Sequence, residues 1–220
     1  MQAITKTLNV LILISAISAI ALDAAGNTAV YRTFKPLTTV LVILLPMLCG
    51  RKAPQAYWLL TVGGLLLCLI GDIFLLDGAN FVFGLAAFLI AHVLFTISFV
   101  TLDKFKLYLT PLLLLFGIGL GYYLFLYPKL ESLAIPVLLY FLFIVVMCWQ
   151  GVSLYLWKKG AAHLMIAVGV LLFLLSDSIL ALNKFVVPFD WSGVVVLSTY
   201  WAAVALLANA VVAISNESRA

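Results

Sequence analysis

Residues 65–76 read LLLCLIGDIFLL, an apolar run that carries one carboxylate, Asp72, near its end. Residues 170–181, VLLFLLSDSILA, repeat the device with Asp177. An ionisable group inside a membrane span is costly, by roughly 2.5–3.5 kcal/mol on insertion scales and more in simulations. Two such groups in a chain this poor in charge point to a purpose. The remaining spans then read as a scaffold that brings Asp72 and Asp177 together.

The chain is 66% hydrophobic and 9% charged, with mean hydropathy +1.28. Soluble domains carry about 25% charged residues, so this composition indicates an integral membrane protein. The apolar runs are continuous and near the length of a helical span, not alternating as barrel strands are. The expected fold is all-α and polytopic, with eight transmembrane helices forming one domain over residues 1–220. The net charge of +4 does not suggest nucleic acid, because the basic residues sit in pairs between spans, without interleaved exposed aromatics. Cys49, Cys68 and Cys148 all lie in apolar runs and read as small packing residues.

In chain order the expected spans are residues 4–23, 35–49, 57–76, 81–101, 107–127, 132–157, 161–182 and 191–215. The first resembles a signal peptide, yet seven further spans favour its retention. Residues 24–33 read as a linker, and Pro36 as a first-turn proline of a short second span. Tyr57 and Trp58 read as interfacial anchors. Gly117, Gly119 and Gly121 read as a face for close helix approach. The separation of Asp72 and Asp177 equals four spans, which suggests two parallel four-helix repeats.

Alternate assignment of the loops puts Lys6, Arg51, Lys52, Lys104, Lys106, Lys158, Lys159 and Arg219 on one side. Arg32, Lys35, Lys129 and Lys184 fall on the other. By the positive-inside bias both termini are expected in the cytoplasm. At about 1.5 Å per residue, both aspartates then lie some 22–24 Å along their helices, in the outer half.

Few other ionisable groups share that depth. Lys184 follows Asp177 by seven residues on nearly the same helix face, with Asn183 beside it. His92 descends from the outer side of the fourth span, and Lys35 stands at the mouth of the second. Lys35, His92, Asn183 and Lys184 are therefore the candidate substrate-binding residues around the aspartates. Each also has a structural explanation. A lone aspartate can simply pair with a lysine, a histidine can bond a carbonyl, and a lysine can snorkel to the interface. His163 beside a basic loop reads as interfacial. There is no Gly-x-Ser-x-Gly elbow, no His-Glu-x-x-His and no phosphate-cradling Gly-Lys-Ser/Thr. A metal site would need His92 and both aspartates, a legitimate but weak signal, and no metal is expected.

At these residues the chain resembles the YhhN family of integral-membrane lysoplasmalogenases. The resemblance rests on Lys35-Pro36-Leu37-Thr38, Gly71-Asp72-Ile73-Phe74-Leu75-Leu76, and Phe83-Gly84-Leu85-Ala86-Ala87-Phe88 followed by His92. It continues in Ser176-Asp177-Ser178-Ile179-Leu180-Ala181 and Thr199-Tyr200-Trp201. Members often carry a glutamine soon after the Thr-Tyr pair, where this chain has Ala202-Ala203-Val204. The resemblance implies hydrolysis of the vinyl ether of a lysophospholipid, 1-alkenyl glycerophospho-ethanolamine or -choline, to a fatty aldehyde and the glycerophospho base. Asp72 and Asp177 would be the catalytic acid-base pair, sharing one proton because two close carboxyls in a low dielectric do not both ionise. Such chemistry needs no cofactor. The expected partners are the substrate and membrane lipid, with no obligate protein partner, and the expected location is a bacterial inner membrane. A proton-coupled carrier would use the same buried acids, and a non-catalytic lipid-binding scaffold would leave them dispensable.

Overall fold

A computed structural model describes residues 2–217; Arg219, counted above among the basic residues of one side, lies outside them. Eight long helices follow one another: α1 Gln2–Ala24, α2 Thr28–Cys49, α3 Gln55–Phe74, α4 Phe81–Asp103, α5 Leu109–Leu126, α6 Ala134–Lys158, α7 Ala161–Phe185 and α8 Ser192–Glu217. All eight are long and apolar enough to cross a membrane. The protein is an integral, multi-pass membrane protein of all-α class. With no water in the hydrocarbon layer, helices satisfy their own backbone groups and need only short connections at the surface.

The second helix starts earlier than the sequence suggests. Asn27 accepts the Val30 N–H on its side chain at 3.4 Å and starts α2 at Thr28. The polar residues from Thr28 to Lys35 therefore coil as helix instead of forming a linker, and α2 is not short. Pro36 and Pro46 both lie inside it. The Pro46 carbonyl accepts the Trp58 indole N–H at 2.8 Å, which fixes α2 against the start of α3. Tyr57, expected at the interface, is instead buried in the core.

Sequential helices pack as antiparallel neighbours, α1 on α2, α2 on α3, α3 on α4, α5 on α6, α6 on α7 and α7 on α8. The halves are joined by α4 on α6 and α2 on α8, and α1 also packs on α8. The first helix belongs to the packed bundle. Ser15 and Thr38 share a hydrogen bond of 2.7 Å, and the Asn9 and Asn209 amides pair across α1 and α8.

Close approach of α3 and α4 depends on glycine. A Cβ on Gly71 would strike the Phe88 ring, and one on Gly64 would strike Phe95. In α5 the glycines behave differently from the expected common face. Residues two apart in a helix point to nearly opposite sides. Gly119 meets Phe141 of α6, while Gly117 and Gly121 face open space.

One end of the bundle carries the turns α1–α2, α3–α4, α5–α6 and α7–α8. Here Asp77 accepts the Ala79 N–H at 3.0 Å, starting a single 3-10 turn, Gly78–Asn80. Arg32 donates to the Leu76 carbonyl at 3.1 Å and holds the end of α3 against α2. This end contains the polar site.

Candidate functional site

Asp72 sits in the last turn of α3 and is 1% exposed. Its Oδ2 accepts two hydroxyl protons, from Thr39 of α2 at 2.6 Å and from Tyr200 of α8 at 2.8 Å. The Trp201 indole N–H in turn donates to Thr39 Oγ1 at 3.3 Å. Three helices thus converge on one carboxyl oxygen. Lys35, one turn before Thr39 on α2, is buried within electrostatic reach of Asp72 and Asp23.

Asp177, on α7, has a separate set of partners. Tyr140 of α6 donates its hydroxyl to Asp177 Oδ2 at 2.5 Å. His92 of α4 is wholly buried with its Nε2 3.7 Å from the same oxygen, and among the described residues neither ring nitrogen has a hydrogen-bond partner. The imidazole is wedged edge-on between Tyr140 and Phe173, at centroid distances of 5.0 and 4.8 Å. The Asp177 side chain remains 15% exposed, because it opens to internal space.

Both carboxyls line one cavity of about 220 Å³ at the polar end of the bundle. Lys35, Asn183 and Lys184 line it too, as does Asp23 from the end of α1. The start of α8 closes over Asp23 at Gly193, where a Cβ would strike the carboxylate. His92 is not among the lining residues; it stands behind Asp177. The Asn183 side chain is engaged with its own loop, accepting the Phe189 N–H at 3.1 Å. Lys184 is exposed, with Nζ over the Phe81 ring at 5.0 Å.

Each aspartate accepts from its own tyrosine, Asp72 from Tyr200 and Asp177 from Tyr140. Phe88, Phe173 and Tyr200 meet edge to face in this region, with centroids 5.6–6.1 Å apart. Cys68, fully buried on α3, lies within electrostatic reach of both carboxyls. Among the described residues no cluster of three His, Cys, Asp or Glu side chains could hold a metal ion.

A second cavity, of about 280 Å³, lies between α5, α6 and α7 and is walled almost wholly by apolar side chains. Asp177 lines it as well as the polar cavity.

The YhhN family model matches residues 30–211, which include both aspartates and their tyrosines. The chain belongs to the YhhN family. It is 35% identical over 175 residues to the human protein named lysoplasmalogenase TMEM86B, covering 76% of this chain and 72% of that one. It is 37% identical over 152 residues to bovine lysoplasmalogenase TMEM86A, covering 66% and 62%. A YhhN protein of Escherichia coli O6:H1, described as an uncharacterized membrane protein, is 28% identical over 163 residues, covering 72% and 76%. No solved structure matches the chain. This YhhN chain thus falls in a family that has hydrolases among its members.

Thr39, Tyr140 and Asp23 were not among the candidate site residues, and Tyr200 stood only in the Thr199-Tyr200-Trp201 motif. Asp23 carried one usable signal. It stands at the C-terminal end of an apolar helix, where the dipole disfavours a carboxylate, so something nearby must compensate it. Tyr140 had no such mark, because a tyrosine in an apolar run looks like any other aromatic.

Proposed function

We propose that this protein hydrolyses the vinyl ether bond of lysoplasmalogens, 1-alkenyl glycerophosphoethanolamine or glycerophosphocholine. The products are a fatty aldehyde and the glycerophospho base. The observation that carries the proposal is that two carboxyls on separate hydrogen-bond networks face one cavity that Lys35 also lines. The names of the relatives support it.

Vinyl ether hydrolysis needs a proton on the β-carbon and a stabilised cation on the α-carbon. Asp72 Oδ2 accepts two hydroxyl protons and lies near Lys35, contacts that stabilise a carboxylate. Asp177 accepts one hydroxyl proton where Asp72 accepts two, and it borders apolar space, which suits a carboxyl that keeps its proton. In the proposed cycle Asp177 protonates the β-carbon, and the oxocarbenium ion forms facing Asp72. Water adds to the α-carbon and gives its proton to Asp72. The hemiacetal then collapses. Its hydroxyl proton returns to Asp177, Asp72 delivers its proton to the glycerol oxygen, and both groups are reset.

Lys35 and Lys184 act as point charges toward the phosphate. Asn183 is assigned to the rim of the site, where it holds the α7–α8 loop. His92 is a positioning residue that holds Asp177 and Tyr140 from behind, not a substrate contact. The test is direct: purified protein in detergent, given a lysoplasmalogen, releases free aldehyde. A carrier or a scaffold gives none.

A further inference from the structure

We propose that the apolar cavity between α5, α6 and α7 is the seat of the substrate's aliphatic chain, so that Asp177 marks the junction between chain and head group. The inference rests on the reading of the protein as a lysolipid hydrolase, and it adds where the lipid lies and which residues select its chain.

The cavity exists because of how α5 is held. This helix packs on α6, where bare Gly119 lets Phe141 approach and Tyr123 stacks on Phe141 at 6.2 Å. Toward α7 it reaches across through the Tyr122 hydroxyl, which donates to the Ser178 carbonyl at 2.5 Å. A tyrosine used as a strut holds two helices apart and leaves space beneath it. That space is walled by Leu115 and Gly119 of α5, Ile144 and Val145 of α6, and Leu174 of α7.

Its orientation fits a lysolipid. Asp177 to Leu174 runs toward the middle of the bundle, as do Tyr140 to Ile144 and Tyr122 to Leu115 on the flanking helices. The wall along α6 starts at Val137 near the helix end, and from Tyr140 to Val145 it runs about 7.5 Å toward the middle at 1.5 Å per residue. The polar cavity with its lysines opens at the helix ends, on the other side of the same carboxyl. A single-chain lipid with its head at that end and its tail toward the bilayer centre crosses Asp177 where glycerol gives way to hydrocarbon. In a lysoplasmalogen that crossing point is the alkenyl ether. The polar cavity alone offers no place for a long chain, and the apolar cavity alone offers no counter-charge for a phosphate. Their one shared ionisable residue is the proposed proton donor.

The experiment uses a non-hydrolysable alkyl lysophosphoethanolamine that carries a photoreactive diazirine midway along its chain. The full-length protein in lipid nanodiscs is irradiated with and without excess unlabelled alkyl lysophosphoethanolamine, and adducts are mapped by mass spectrometry. Adducts suppressed by the competitor are expected on the facing segments around Leu115, Ile144 and Leu174. Leu115→Trp, which fills the cavity, is expected to lower that labelling and to raise KM for a hexadecenyl substrate by about fivefold or more, as overpacking does, while an octenyl substrate changes little. Leu113→Trp, at a position 68% exposed on the other side of α5, is the matched control and leaves both unchanged. Competed adducts elsewhere, adducts the competitor does not suppress, or equal effects of the two tryptophans overturn the inference. Competed labelling of the cavity without aldehyde release retains the lipid seat and overturns the hydrolase reading instead.

Discussion

Tyr200, on the last helix, donates its hydroxyl to Asp72, on the third, at 2.8 Å across 128 residues of sequence. The same ring packs edge-on against Phe88 and Phe173. Tyr200→Phe keeps the ring and removes only the donor. A hydrogen bond to a charged group contributes about 1.5–3 kcal/mol, so kcat is expected to fall roughly 10- to 100-fold. Thermal unfolding of the variant checks that the fold is kept. An unchanged kcat would mean that Asp72 does not act as a charged group.

Gly71 precedes Asp72 and lies directly against Phe88, which walls the polar cavity. Gly71→Ala places a methyl where the ring now is, so Phe88 must move. Overpacking of this kind costs about 1–3 kcal/mol. The expected result is a destabilised protein whose kcat falls more than that of Gly117→Ala, a site where a Cβ meets only open space. Unfolding midpoints and aldehyde release, measured on both variants, compare the two positions.

Lys35 is 6% exposed yet lines the cavity, close to Asp72 and Asp23. If its ammonium holds the substrate phosphate, Lys35→Ala raises KM while kcat changes little. A collapse of kcat with KM unchanged would show instead that Lys35 serves Asp72 in the chemistry.

Much of the bundle was legible in the sequence, and the reason is physical. Hydrocarbon forces each crossing into a long apolar helix, so composition and run length alone fix the eight spans. The start of α2 was not legible, since a capping asparagine followed by polar residues also reads as a loop. The two aspartates were legible because a carboxyl in an apolar run is costly. Their arrangement was not. Nothing local in Tyr140 or Tyr200 reveals that each hydroxyl belongs to a different carboxyl on another helix. The role of α5 was also hidden. The spacing of Gly117, Gly119 and Gly121 suggested one tight face, but only Gly119 meets a neighbour.

Orientation in the membrane follows from the basic residues between spans. Even helix number places the first and last described helix ends, Gln2 and Glu217, at the end of the bundle opposite the polar cavity. With Arg51, Lys52, Lys104, Lys106, Lys158 and Lys159 at that same end, it is expected to face the cytoplasm. A C-terminal reporter active only outside the cell should therefore stay silent, and its activity would reverse the assignment.

The central claim is that Asp72 and Asp177 divide acid and base work within one cavity. Its most direct test is kcat for aldehyde release by wild type, Asp72→Asn, Asp177→Asn and the double variant, each shown to be folded. Asparagine keeps size and packing but can neither donate a carboxyl proton nor carry the charge. Each single change is expected to lower kcat by about 10²–10⁴-fold, and the double to fall far short of the product of the two, as residues acting in one step do. Retention of more than about a third of wild-type kcat by either single variant, far above the loss of an acid or base, would contradict the mechanism and leave that aspartate a structural role.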